Sequence, residues 1–225
     1  MTLPVAGIAF DLDGTLADSA GDIAVAINGV LAGRGLPEQS TGYVEQFIGE
    51  GTRQLVAGVH RGLGVEVSGT RLDEDVHRYL ELYRRSPVAR TRLYPGVRAT
   101  LERLHDAGVV LGVCTNKAQE VAETVLDRLG IGALTAVVVG GDALPVHKPD
   151  PGHLLTVLER MGVAPERALM VGDSGIDVAC AVRAGVRCVV VGWAPPAVGA
   201  EGTTRIQDFT ELLDVAGLRN GQQQT

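Results

Sequence analysis

Five short runs rich in Val, Ile and Leu, at residues 5–10, 109–114, 136–140, 168–172 and 186–191, constrain this chain more than any other feature. Each has the length of a strand and is apolar almost throughout, the pattern of a strand buried on both faces. Between the later runs lie segments of helical period. Residues 97–107 carry Val97, Leu101 and Leu104, residues 118–129 carry Val121, Val125 and Leu129, and residues 153–161 and 176–184 complete the set. Gly108, Gly130, Gly162 and Gly185 each follow a helical stretch, where a left-handed cap is wanted. Strands alternating with helices predict an α/β fold, a three-layer Rossmann-like parallel sheet covered on both sides.

The interval after the first run breaks this alternation. Residues 22–31, 41–47, 52–61 and 71–85 read as helices, with no convincing strand among them. A small all-helical cap domain is expected at residues 17–86, inserted into a core made of residues 1–16 and 87–225. Asp22 is expected in a first helical turn, where it complements the helix dipole. Trp193, close to Pro195 and Pro196, is expected to pack rather than bind, and the polar tail 221–225 is expected to fray.

Composition narrows the functional classes. A net charge of −7 without any basic block argues against nucleic-acid binding through a broad positive face. No apolar run approaches the roughly 20 residues that span a bilayer, and no secretory leader is evident, so a cytoplasmic protein without a membrane partner is expected. The three cysteines, Cys114, Cys180 and Cys188, have no metal-like spacing and are expected as reduced thiols. The five histidines show no zinc-like grouping and are expected at the surface or in loops.

In parallel α/β sheets, residues that act on ligands gather at the C-terminal ends of the strands. The first run ends in Asp11-Leu12-Asp13-Gly14-Thr15, the second in Thr115-Asn116-Lys117, and the fourth in Gly172-Asp173-Ser174 with Asp177 beyond; His147-Lys148-Pro149 follows the third. Residues two apart on an extended strand face the same way, so Asp11 and Asp13 can address one cation or one substrate. Each site has a plain alternative. Asp13-Gly14 suits an ordinary turn, Thr115, Asn116 or Asp173 a helix cap, Lys148 an exposed loop, and Asp177 a solvated helix face. Together these alternatives lose ground, because four strand ends deliver carboxylates, a hydroxyl, an amide and an ammonium to one rim. Clustered carboxylates suit Mg2+, a hydroxyl and a lysine suit phosphoryl oxygens, and an aspartate can serve as a covalent nucleophile.

The sequence Asp11-Leu12-Asp13-Gly14-Thr15-Leu16, followed by Thr115-Asn116, Lys148-Pro149 and Gly172-Asp173-Ser174 with Asp177, resembles the haloacid dehalogenase superfamily of phosphohydrolases. Residues 11–19, 48–51, 93–97, 115–117 and 148–151 are similar to the phosphoglycolate phosphatase group within it. The resemblance implies a phosphatase for a small phosphorylated metabolite, 2-phosphoglycolate foremost, working as a monomer or homodimer. It implies Asp11 as nucleophile, Asp13 as general acid and base, and Mg2+ held by Asp11, the backbone carbonyl of Asp13, and Asp173. Thr115 and the amide of Asn116 would bind phosphoryl oxygens, Lys148 would neutralise charge, and Asp177, supported by Ser174, would orient Lys148 or a metal-bound water.

Residues 49–52, Gly-Glu-Gly-Thr, open a helical stretch, and a helix N-terminus flanked by glycine suits an anion. A substrate carboxylate is expected there at Gly51, with Arg53; the competing reading is a tight turn beside a solvated arginine. Sugar-phosphate phosphatases, pyrophosphatases and phosphomutases share the same motifs and stand as alternatives. A phosphonate hydrolase would want a lysine in the cap for a Schiff base, and residues 17–86 contain none.

Overall fold

A computed structural model describes residues 5–193 and 203–218; Pro195, Pro196 and the tail 221–225 lie outside the described residues. The chain begins with β1 (Gly7–Phe10) and the two-residue β2 (Ala17–Asp18). Four helices follow, α1 (Ala20–Gly33), α2 (Thr41–Glu45), α3 (Thr52–Gly62) and α4 (Gly69–Arg85). After β3 (Arg92–Leu93) come α5 (Val97–Asp106), β4 (Val110–Cys114), α6 (Gln119–Arg128), β5 (Val137–Val139), α7 (Pro151–Met161) and β6 (Ala168–Gly172). The described part ends with α8 (Gly175–Ala184), β7 (Arg187–Val191), β8 (Thr204–Ile206) and α9 (Leu212–Val215).

Six strands form one sheet in the order β5-β4-β1-β6-β7-β8, with every pairing parallel. Side-chain alternation divides the core. Ile8, Phe10, Leu111, Val113, Leu169 and Val171 join one apolar cluster. Ala9, Cys114 and Met170 face the other side, against Leu154, Val157 and Leu158 of α7 and Ala181 of α8. All five expected strands are present, and the four expected glycine caps have φ of +80°, +69°, +69° and +68° at residues 108, 130, 162 and 185. The sixth strand, β8, carries a single buried apolar residue, Ile206, at the sheet edge, too little to stand out as a strand in sequence.

Register positions the working end. Phe10 of β1 lies opposite Val113 of β4 and Val171 of β6. The next backbone step keeps the strands level, since the Asp11 amide donates to the Val171 carbonyl at 2.9 Å. Asp11, Thr115 and Asp173 therefore leave three neighbouring strands at one rim. Because the chain runs from β1 outward to β4 on one side and returns through β6 on the other, this rim is the switch point where α/β sheets open a crevice.

The helical insert is tied to the core at both ends. β2 and β3 pair antiparallel, Ala17 with Leu93 and Asp18 with Arg92. Asp22 does sit in the first turn of α1, but its role exceeds the expected dipole interaction. Its buried carboxylate accepts the backbone N–H groups of Arg90 and Thr91 and the Thr91 hydroxyl. Inside the insert, Arg34, capping the end of α1, donates to Asp75 of α4 at 2.7 Å, and His60 of α3 lies 3.6 Å from the same carboxylate. His60 and His153 are both buried, contrary to the expectation of surface histidines. Each retains a polar partner on Nδ1, the Val56 carbonyl for His60 and the Lys148 amide for His153, which lowers the penalty of burying an imidazole.

Trp193 packs as expected. Its ring stacks on Tyr94 with centroids 4.7 Å apart, and its Nε1 donates to the Gly14 carbonyl at 2.9 Å. The three cysteines are free thiols. No helix among the described residues is long and apolar enough to cross a membrane.

Candidate active site

The centre is a buried lysine held between two carboxylates. Lys148 Nζ lies 2.9 Å from Asp11 Oδ1 and 2.7 Å from Asp177 Oδ1. Burial works against the ammonium, but Asp11 and Asp177 together outweigh it and hold Lys148 well above the usual lysine range. Burial raises the Asp11 carboxyl to about 6, against the opposing pull of Lys148. Asp173 is raised as well, by burial and then by the charges of Asp177 and Asp11. Three carboxylates forced together without an equal number of cations constitute a site short of positive charge.

Local sequence explains how these groups are held. Asp177 is the third residue of α8, and its Oδ2 accepts the Ser174 hydroxyl at 2.6 Å and the Ser174 amide at 3.1 Å in a reciprocal helix cap. Gly172 leaves room for it, since a Cβ there would meet Asp177 Cβ and Cγ at 2.4 Å. Gly14, at φ +84°, turns the chain after Asp13, and a Cβ on it would lie 2.5 Å from Asp173 Oδ2. Asp173 Oδ1 accepts the buried Thr15 hydroxyl at 3.0 Å. Lys148 is fixed through its backbone: its amide donates to Asn116 Oδ1 and His153 Nδ1, and its carbonyl accepts Asn116 Nδ2. The same Asn116 Nδ2 reaches the Gly49 carbonyl in the insert at 2.9 Å. The Asn116 side chain thus works as a brace, which leaves its backbone amide as the group available to an anion.

Asp11, Asp173 and Asp177 each bring an oxygen within 4.8 Å of the others. Carboxylate oxygens in such a group suit a hard divalent cation, and the upward shifts of Asp11 and Asp173 describe a donor set that a cation would relieve. Two of the three expected ligand residues, Asp11 and Asp173, are in this group, with Asp177 as the third. The Asp13 carboxylate is committed elsewhere, so only the backbone carbonyl of Asp13 remains as its ligand atom. Both Asp13 oxygens lie 2.9 Å from Lys117 Nζ, and Ser19 Oγ donates to Oδ1 at 2.5 Å.

A cleft of about 30 Å³ lies over Asp11, walled by Asp13, Thr115, Asn116 and Lys117 on the core side. Gly51, Thr52, Leu55 and Tyr79 of the insert close the other side. A larger cavity of about 300 Å³ adjoins it at Asp13, Ile48 and Gly49, and is lined by Asp173, Ser174, Tyr94 and Trp193. Gly51 is therefore brought to the site as expected, but Arg53 is not. Arg53 pairs with Asp73, is half exposed, and does not line the cleft. Thr115 is buried at the cleft wall, with its Oγ1 accepting the Lys117 amide at 3.2 Å.

Lys117, named in the second strand-end run, is the residue to which sequence reasoning gave no role. A signal was available: lysine occurs at only two positions, 117 and 148, while eighteen other cationic positions are arginine. Both lysines are buried at this site. Arginine's planar fork demands room for up to five donors, whereas a compact ammonium fits between carboxylates.

A parallel sheet whose switch point gathers carboxylates, a hydroxyl and two ammonium groups under a helical insert defines a hydrolase of phosphoric monoesters. The chain belongs to the haloacid dehalogenase-like hydrolase family, whose model matches residues 8–191. It is 42% identical over 219 residues to phosphoglycolate phosphatase 1 of Pseudomonas aeruginosa, covering 93% of this chain and 79% of that protein. It is 38% identical over 217 residues to phosphoglycolate phosphatase of Rhodospirillum rubrum, covering 93% and 90%. The crystal structure of a predicted phosphoglycolate phosphatase from Haemophilus somnus superposes with a TM-score of 0.85 at 29% identity, covering 96% of this chain and 99% of that one. The protein is a phosphatase of the phosphoglycolate phosphatase-like kind.

Proposed function

We propose that this phosphatase is Mg2+-dependent and hydrolyses 2-phosphoglycolate to glycolate and phosphate through an aspartyl-phosphate on Asp11. The observation that carries the reading is the convergence of Asp11, Asp173 and Asp177 within 4.8 Å, with the Lys148 ammonium 2.9 Å from Asp11. The similarity to proteins named phosphoglycolate phosphatase supports the substrate.

In this mechanism Asp11 attacks phosphorus as the ester P–O bond breaks, and the departing alkoxide takes a proton from Asp13. Asp13 then removes a proton from the water that attacks the phosphoaspartate, and Asp11 leaves as carboxylate. Thr115 Oγ1 and the Asn116 amide bind the transferring oxygens, and Lys148 offsets their charge. Mg2+, held by Asp11, the backbone carbonyl of Asp13, and Asp173, would supply charge neutralisation. Asp177, 2.7 Å from Lys148, keeps that ammonium aimed at Asp11.

Residues 17–86 are read as a cap that closes over the core of residues 1–16 and 87–225 and excludes water from the intermediate. Phosphate release from 2-phosphoglycolate, with and without chelator, tests the reading. Wild-type protein should turn over only with Mg2+, and Asp11→Asn should be inactive; near wild-type turnover by Asp11→Asn overturns the nucleophile.

A further inference from the structure

We infer that Lys117, rather than Arg53, is the cation that receives the carboxylate of the substrate, and that its hold on Asp13 is what the substrate exchanges for that contact. The inference rests on the proposed phosphoglycolate reading and deepens it. Among the described residues, Lys117 is the one cationic side chain lining the cleft over Asp11, and the adjoining larger cavity has none. Lys148 sits behind Asp11, its ammonium already shared with Asp177.

The geometry favours a leaving group of one particular shape. A general acid must come within hydrogen-bond reach of the ester oxygen it protonates. Lys117 Nζ lies 2.9 Å from both oxygens of Asp13, so an ester oxygen that touches Asp13 lies beside Lys117 as well. In phosphoglycolate the carboxylate carbon is two bonds from that oxygen, which brings it to the ammonium. The cleft over Asp11 is the tighter of the two adjoining spaces, about 30 Å³ against about 300 Å³, which favours a short leaving group over a bulky one. The insert closes this wall with the first turn of α3 and with Tyr79.

An ammonium has three protons. In this structure two address the Asp13 oxygens, and the group also lies 4.5 Å from the centre of the Tyr83 ring on α4. A second carboxylate in the cleft takes one of these donors away from Asp13. Binding of the correct leaving group and release of Asp13 toward the ester oxygen are then one event, and an uncharged ester leaves Asp13 clasped. Discrimination should fall on kcat as well as on KM.

The experiment compares 2-phosphoglycolate with ethyl phosphate, which lacks the carboxylate, in wild type and Lys117→Met. Because lysine stands at only two positions, protein labelled at lysine Cε yields two assignable NMR signals, and its binding of 3-phosphonopropionate can be set against propylphosphonate. The variant should lose at least about 30-fold of the wild-type preference for phosphoglycolate in kcat/KM, as befits a lost hydrogen bond between charged groups. The Lys117 signal should move with 3-phosphonopropionate and stay with propylphosphonate, while the Lys148 signal responds to both. Equal losses on both esters overturn the inference and reduce Lys117 to a positioning residue for Asp13, as does a Lys117 signal that moves alike with both phosphonates. The phosphonate arm uses wild-type protein and stands even if Lys117→Met fails to fold. A wild type that hydrolyses ethyl phosphate but not phosphoglycolate overturns the substrate reading instead.

Discussion

Asp22, at the start of the helical insert, grips Thr91, just beyond its end: one carboxylate oxygen accepts the Thr91 amide at 2.8 Å and the Thr91 hydroxyl at 2.7 Å. The two residues are 69 positions apart, and both are buried. This clasp, with the short β2–β3 pairing beside it, sets where the insert leaves and rejoins the core. Asp22→Ala leaves the Arg90 and Thr91 amides without an acceptor, the Thr91 hydroxyl keeping the Pro87 carbonyl at 3.3 Å, so it should destabilise the protein by about 2 to 4 kcal/mol in chemical denaturation. Thr91→Val removes only the hydroxyl, with its contacts to Asp22 and the Pro87 carbonyl, and should cost about 1 kcal/mol.

Removing the Lys148 ammonium strands two buried carboxylates. Lys148→Met should abolish phosphatase activity and lower stability at neutral pH by about 3 to 5 kcal/mol. The sign of its pH dependence is fixed. Without the lysine, the upward pull of burial on Asp11 is unopposed and Asp11 takes up a proton more readily when folded than when unfolded, so the variant should gain stability relative to wild type as pH falls from 7 toward 5. Urea melts of both proteins across that range check the crossing trend.

His153 supplies a second pH signature. Burial, aided by the nearby Lys148 charge, lowers its pKa from 6.5 to about 4, so the folded protein resists a proton that the unfolded chain accepts. The resulting loss is absent above pH 6.5, grows as pH falls through that value, and is complete below about 4. It amounts to about 3 kcal/mol. Against wild type, His153→Asn should flatten the fall in stability between pH 6.5 and 4, as read by thermal melts in matched buffers.

Gly14→Ala tests the tight turn beneath the acidic group. The new Cβ would meet Asp173 Oδ2 at 2.5 Å, at a φ of +84°. The backbone penalty is about 1 to 2 kcal/mol, and the displaced carboxylate should raise the Mg2+ concentration needed for half-maximal activity. Titration with Mg2+ separates that effect from general loss of fold, which excess metal would not restore.

The sequence announced the sheet and its helices because their signals are local: an apolar run, a period, a glycine after each helix. The register of parallel strands brings Asp11, Thr115 and Asp173 to one rim, whereas Lys148, beyond β5, is held there through Asn116 and His153. The role of Lys117 was missed because its partner, Asp13, lies 104 positions away, and nothing adjacent to Thr115-Asn116 distinguishes a paired lysine from a solvated one. Arg53 misled for the converse reason. It follows Gly51 closely in sequence, but the helical turn swings it outward to Asp73, on a different helix. His60 and His153 depend on partners, Asp75 and the Lys148 amide, that only folding brings near. For the same reason β8 and the β2–β3 pair were invisible, since two or three residues carry no period.

The middle strand of the sheet has a consequence for how the protein is made. β1 precedes both of its neighbours, Val110 and Ala168 being the partners of Gly7, so during synthesis it waits for about three quarters of the chain before both flanks can be covered. The helical insert, whose contacts are closer in sequence, can condense while β1 is still bare. Asp11 gains its lysine and its companion aspartates only when that wait ends, so a nascent chain carries no working phosphatase until β6 has docked.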